Sequence, residues 1–156
     1  MNYRLQKVSL CDKEILHRLL QYSLFEESET DLNEMDNNAV FEYKWFDSYF
    51  TDKERDAYFI KSKDNKLRGF VMINTCMQKT QSGHSIAEFM VIPKYRRQKI
   101  GKLAAFEIFN MYKGFWEISP SFGSEKAYLF WKKVIEEYTD SEYRYEDGIF
   151  IFKSGE

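Results

Sequence analysis

Between Ser85 and Met111 an apolar run stops at Pro93 and crosses the basic stretch Lys94-Tyr-Arg-Arg-Gln-Lys-Ile-Gly-Lys102. It then resumes as a helical stripe of Ile100, Leu103, Ala104, Ile108 and Met111. A period-2 segment followed so closely by a period-3.6 segment demands a strand, a tight turn and a helix folded back on that strand. The flanking patterns extend the layering. Asn2–Val8 reads as a first strand, and Ser9-x-x-Asp12 as a capping box opening a helix with Ile15, Leu16, Leu19 and Leu20 on one face. Phe41–Phe50 reads as a short aromatic helix. Ala57–Ser62 and Leu67–Cys76 read as strands joined by a turn at Asp64-Asn65-Lys66. Gly114 ends the second long helix and Phe115–Ile118 is a short strand. Ala127, Phe130, Trp131, Val134, Ile135 and Tyr138 then give the clearest helical stripe in the chain. Glu142–Tyr145, Asp147-Gly148 and Ile149–Phe152 predict a closing hairpin. The order β-α-α-β-β-β-α-β-α-β-β, with no repeat or linker, implies one α+β domain over 1–156, an α/β sandwich built on a mixed sheet.

Composition supports a packed interior: hydrophobic residues are 44% of the 156 and aromatics 18%, too much apolar surface for a disordered chain. The longest apolar run, Ala127–Trp131, is far short of the ~20 residues of a membrane helix. Arg4, Lys7, Asp12, Lys13 and Glu14 interrupt any early apolar stretch, so no secretory leader is expected and a cytoplasmic location is. Cys11 and Cys76 lack CxxC spacing and are expected as small, buried or half-buried apolar residues. His17, in a helical pattern, and His84, expected in a turn beside Gly83, have no ligand-spaced partner, so no metal is expected.

Net charge is −2, which argues against a nucleic-acid or membrane partner. The distribution carries more. Lys94–Lys102 holds five cations in nine residues, and the stretch Glu26–Asp36, expected as a loop, holds six anions in eleven. A cationic knot at the start of a helix is suited to an anion. The first-turn N–H groups lack intrahelical partners and the helix dipole adds positive potential. Gly101 allows close backbone approach, and Arg or Lys neutralises phosphate charge. Neither a Walker loop nor a GxGxxG fingerprint is present.

The pattern strand–V-I-P-K-Y-R-R-Q-K-I-G-K–helix resembles the acetyl-CoA signature of the GNAT superfamily (Gcn5-related N-acetyltransferases), [Q/R]-x-x-G-x-[G/A]. Arg96 takes its first position and Gly101 its last. Gly114-Phe-Trp-Glu, Ala127-Tyr-Leu-Phe-Trp131 and Arg68-Gly69-Phe70 are similar to the bacterial predicted-acetyltransferase branch, so the resemblance covers nearly the whole chain. Two positions depart from the pattern: Lys99 replaces the first glycine, and Ser124 the asparagine usual before the helix alanine.

The resemblance implies a mixed, largely antiparallel central sheet with helices on both faces, splayed between the strand ending at Ile92 and that at Phe115–Ser119. Acetyl-CoA would lie in the splay. The backbone of Phe89, Met90 and Val91 would face the pantetheine arm, and Arg96, Arg97, Gln98, Lys99, Ile100, Gly101 and Lys102 the pyrophosphate. Ser124 and Trp131 belong to the same half-site, Trp131 packing along the cofactor or in the core. An amine, on a small molecule or a protein, would be acetylated directly in a ternary complex. Glu88 interrupts an apolar strand, where a carboxylate is costly without a task or a partner; it is the candidate base or amine anchor, or else a strand-edge Glu paired with a cation. Tyr128 is the nearest phenol for an acid. Glu26, Glu27, Glu29 and Asp31, with Tyr43, Trp45, Phe46 and Tyr49, would favour a cationic, amphipathic acceptor. The alternative is a degenerate acyl-CoA-binding domain without turnover, and a homodimer is compatible with either.

Overall fold

The computed structural model describes residues 3–155, so Asn2 of the first expected strand lies outside the described residues. Seven strands form one sheet in the order β1-β2-β3-β4-β5-β7-β6. These are β1 (Tyr3–Lys7), β2 (Asp56–Ser62), β3 (Leu67–Asn74), β4 (His84–Val91), β5 (Gly114–Ile118), β6 (Arg144–Glu146) and β7 (Ile149–Ser154). Three helices cover it: α1 (Lys13–Glu27), α2 (Ile100–Met111) and α3 (Glu125–Thr139). All pairings are antiparallel except β4 with β5. The mixed, mostly antiparallel sheet matches the expectation.

Two apolar layers flank the sheet. On one face Val71, Ile73, Ile86 and Val91 pack with Ala104, Ile108 and Phe109 of α2 and Trp131, Val134 and Ile135 of α3. On the other, Phe59, Phe70, Met72 and Met90 pack with Leu16, Leu19, Leu20 and Leu24 of α1 and with Phe41, Phe46 and Tyr49. α1 is entered through Ser9, whose N–H and hydroxyl both donate to the Asp12 carboxylate.

Several expectations are corrected. Phe41–Phe50 is not a helix. Only Asp47–Phe50 forms a 3-10 turn, and Trp45 is left-handed at φ 73°, a conformation that ends any right-handed helix. The aromatics are spent on burial instead, Phe41, Phe46 and Tyr49 closing the α1 layer. The acidic stretch begins inside α1, which runs through Glu27. In α2, Ala105 and Phe109 are buried whereas Met111 is exposed, because 3.6-residue periodicity drifts off a strict i+3, i+4 count. Cys11 and Cys76 are exposed free thiols. His84 starts β4 rather than lying in a turn. Its ring packs on Tyr112 and Trp116, and burial lowers its pKa.

Two features of β4 position the site. Its register with β3 shifts between Met72↔Glu88 and Ile73↔Ile86, leaving Ala87 as an extra residue, a bulge immediately before Glu88. Its pairing with β5 is confined to His84↔Trp116 and Ser85↔Glu117. From Ile86 onward the β5-facing edge of β4 has no strand partner among the described residues, so the two strands diverge toward the end of β4 that leads into α2.

Candidate active site

The turn after β4 is built for an anion. Pro93–Tyr95 forms a 3-10 turn, then φ is positive at Arg97 (66°) and Lys99 (66°) but not at Gln98 between them. Such alternation turns successive N–H groups toward one concavity, a backbone nest. Among the described residues the N–H groups of Arg97, Gln98 and Lys99 donate to no other backbone group. α2 opens with no capping side chain, so its first-turn N–H groups are free as well. Arg97 and Lys99 are exposed and form no ion pair among the described residues. This stretch fits a pyrophosphate.

The cations divide in a way the sequence does not reveal. Arg96 donates from both terminal nitrogens to Glu26 (2.9 and 2.8 Å) and from Nε to the Val91 carbonyl (2.7 Å). It therefore fastens the turn to the ends of β4 and α1, and is not a free phosphate ligand through its side chain. The same bond holds the Glu26 carboxyl below its usual value. Lys102 pairs with Glu137 on α3 at 3.1 Å. A Cβ on Gly101 would meet Phe130 at 3.2 Å and Val91 at 3.4 Å, so this glycine also serves the packing of α2 on α3 and β4.

Lys99 occupies a conformation that favours glycine. A non-glycine residue there costs about 1–2 kcal/mol, and glycine would return about 0.4–1 kcal/mol of that through its freer unfolded chain. Lys99→Gly is expected to stabilise the protein by about 0.5–1 kcal/mol, read as a higher urea midpoint at constant slope.

Ser124 caps α3, its hydroxyl accepting the Ala127 N–H at 3.1 Å. Trp131 lies in the core: it is buried and edge-on to Phe89 at 5.0 Å. Phe89 in turn packs on Phe130. Tyr128 is not brought to Glu88. Its ring stacks on Phe150 and meets Tyr145 edge-on, placing it over the β6–β7 hairpin.

Glu88 is on the α1 face of the sheet, the face of Ala87, Met90 and Ile92, rather than at a solvent edge with a cation. Its carboxyl reaches Glu27 and the Tyr43 phenol. Burial first, and then the neighbouring Glu27 charge, raise it well above the usual carboxylate range, against the opposing pull of the Tyr43 hydrogen bond. Burial and Glu88 in turn raise the Tyr43 phenol. Tyr43 also lines a surface groove with Asn33, Glu34, Glu42 and Lys44.

Three residues shape the cleft in roles the sequence did not assign them, Glu26 having been expected at the acceptor. Glu26 holds Arg96. Ser121 donates to Glu27 at 3.0 Å, tying the end of α1 to the loop after β5. Glu117, 2% exposed, accepts the N–H groups of Gln78, Lys79 and Thr80 at 2.8–2.9 Å and the Thr80 hydroxyl at 3.0 Å. A carboxylate following Trp116 in an otherwise apolar strand is the signal that could have marked it.

The geometry agrees with sequence comparison. The model of the acetyltransferase (GNAT) family matches residues 21–115, more than half of the chain. The protein belongs to the GNAT family. Membership makes it an N-acetyltransferase by class, with acetyl-CoA as the family's acetyl donor. Solved acetyltransferase structures share the fold over most of both chains. An acetyltransferase from Thermus thermophilus superposes with TM-score 0.70 at 12% identity, over 98% of this chain and 97% of that one. A spermidine N-acetyltransferase from Vibrio cholerae, in complex with CoA and spermine, gives 0.61 at 7% identity, over 98% and 96%. An aminoglycoside 6′-N-acetyltransferase from Acinetobacter baumannii gives 0.60 at 9% identity, over 85% and 88%. At such identities the likeness is one of fold. Curated proteins give no sequence match. Among the described residues of this GNAT protein no helix is long and apolar enough to cross a membrane, and no group of His, Cys, Asp and Glu is placed to hold a metal.

Proposed function

We propose that the chain is one acetyltransferase domain over 1–156 that transfers an acetyl group from acetyl-CoA directly to a cationic amine in a ternary complex. The observation that carries this is Glu88: a carboxylate held beside a bulge, on the strand whose free edge forms the cleft, with a raised proton affinity and no cation paired to it among the described residues. Acetyl-CoA, when bound, supplies an acetyl thioester. The free edge of Phe89, Met90 and Val91 would receive its pantetheine arm. The backbone nest and helix start from Arg97 through Gln98, Lys99, Ile100, Gly101 and Lys102 would receive its pyrophosphate.

Arg96 fixes the shape of that turn through Glu26 and Val91, Ser124 fixes the start of α3, and Trp131 backs Phe89. Glu88 takes a proton from the acceptor ammonium, for which a raised pKa suits it better than an ordinary carboxylate. Glu27, Glu88 and the aromatic Tyr43 would present an entering small-molecule or protein amine with negative charge and an apolar face. The relatives named for spermidine and aminoglycosides act on amines of that chemistry. We place the reaction in the cytoplasm, where exposed free thiols such as Cys11 and Cys76 stay reduced.

A thermal-shift titration tests the donor. At ~100 times its dissociation constant acetyl-CoA adds about 2.7 kcal/mol, roughly 5–10 °C for this length, and ATP at the same concentration adds none. No shift with millimolar acetyl-CoA overturns the proposal. A shift without thiol release from any amine in a polyamine, aminoglycoside and lysine-peptide panel leaves the degenerate binding domain.

A further inference from the structure

We propose that the last turn of α1 is a cross-tie between the two walls of the cofactor cleft, with Glu26 and Glu27 as positioning residues that hold the width of the splay. What this does for acetyl-CoA rests on the acetyl transfer proposed above. The walls need a tie because the sheet does not supply one. β4 and β5 are joined only at His84↔Trp116 and Ser85↔Glu117. Beyond Ser85 no backbone ladder among the described residues resists their opening. So short a pairing fixes the base of a V and leaves its mouth to other contacts.

Consecutive residues of one helix provide those contacts. Glu26 accepts both terminal nitrogens of Arg96 at 2.9 and 2.8 Å. Arg96 donates in turn from Nε to the Val91 carbonyl at 2.7 Å, so this arm reaches the last residue of β4 itself. Glu27 accepts the Ser121 hydroxyl at 3.0 Å, just beyond the end of β5. The second arm is fixed at its far end, because the Ser124 N–H donates to the Ser121 carbonyl at 3.1 Å and the Ser124 hydroxyl caps α3. A third contact lies beside it. A Cβ on Gly123 would meet Thr30 at 3.2 Å, and the Thr30 N–H donates to the Glu27 carbonyl at 3.0 Å. The loop after β5 therefore packs closely on the turn that ends α1.

The helix makes this turn a bar rather than a flap. Leu16, Leu19, Leu20 and Leu24 anchor α1 in the core on one face of the sheet. Two acids close the helix and no basic residue lies in its last turn, against the sign of its dipole. Their partners come instead from the two cleft walls, one carboxylate to each, and the Arg96 bonds are of the strong, charge-assisted kind. A movement of either wall is thereby passed to the other. The free edge of β4 keeps its distance from β5, as a cofactor lying between them requires.

The test is amide hydrogen exchange of the free protein in wild type, Glu26→Gln and Ser121→Ala. E26Q loosens the arm on the β4 wall, and S121A removes the arm on the β5 wall. A tie cut at one end frees both walls, so each variant should respond on the wall it does not touch. In S121A the Tyr95 and Arg96 amides, bonded to Ile92 and Pro93, should exchange about threefold faster or more. In E26Q the same should hold for the Ser124 and Ala127 amides of the opposite wall. Faster exchange confined to the altered wall marks two unconnected local contacts and overturns the inference. If one variant does not fold, the cross-response of the other decides.

Calorimetric binding of acetyl-CoA gives the second readout. S121A leaves every group of the β4 edge and of the turn from Arg97 to Lys102 in place, yet the dissociation constant should rise about fivefold, within the range over which coupled contacts act. An unchanged constant overturns the inference. If wild type itself does not bind acetyl-CoA, the proposed activity fails, while hydrogen exchange in the free protein still decides the tie.

Discussion

Glu88→Gln should lower kcat/KM for acetyl transfer by roughly 10²–10⁴-fold, the usual contribution of a positioned general base. The acetyl-CoA-induced rise in melting temperature should remain. The two effects separate because they depend on different faces of β4. The Glu88 side chain points to the α1 layer, toward Glu27 and Tyr43. The groups offered to acetyl-CoA are main-chain atoms of the free edge and of the turn from Arg97 to Lys102. Glutamine keeps the volume and can accept from Tyr43, yet cannot take a proton. Folded E88Q should also escape the loss of stability that wild type suffers as pH climbs above the carboxyl range. Thiol release measures the rate, and a thermal shift measures the binding. A rate within threefold of wild type would remove Glu88 from the chemistry.

Glu117→Ala should destabilise the fold by roughly 3–5 kcal/mol, the range for breaking a buried charged network by removing one partner. At this length that is roughly 6–20 °C of melting temperature. The carboxylate is almost fully enclosed and gathers three N–H groups and a hydroxyl from the segment between β3 and β4. Alanine leaves those donors without an acceptor. Burial alone would raise the Glu117 pKa, but the bonds from Gln78, Lys79 and Thr80 outweigh it and the net shift is downward. A depressed folded value stabilises above the unfolded pKa and is lost as pH falls through the folded one. The E117A deficit should thus be full at neutral pH and narrow below about pH 4. A melting temperature within 2 °C of wild type would show that the loop holds without it.

The fold was largely legible because its elements are amphipathic with clean periods: the α3 stripe, the β2 and β3 runs and the Asp147-Gly148 turn appear where hydrophobic spacing and turn chemistry place them. The segment 41–50 was misread because aromatic spacing alone does not distinguish a helix from an irregular strip filling a core edge. Only the left-handed backbone at Trp45 separates the two, and tryptophan does not announce it. The basic turn was legible as an anion site. Its internal division was not, since the partner of Arg96 is seventy residues away in sequence at Glu26. Glu88 stood out as a charge in an apolar strand, whereas its meeting with Glu27 and Tyr43 depends on how α1 and the aromatic segment close over the sheet.

The placement of β7 between β5 and β6 has a consequence for how the protein is made. β5 shares only two registered positions with β4 but five with β7. During synthesis the meander from β1 to β4 can fold against α1 as it leaves the ribosome. β5 must wait, its hydrogen-bonding edge bare, until the hairpin that closes the sheet has been translated. One wall of the cleft is therefore the last part of the molecule to acquire its shape. A nascent chain arrested before Ile149 would expose Trp116, Ile118 and the apolar stripe of α3 together. Such a chain is a client for chaperones before it can bind acetyl-CoA.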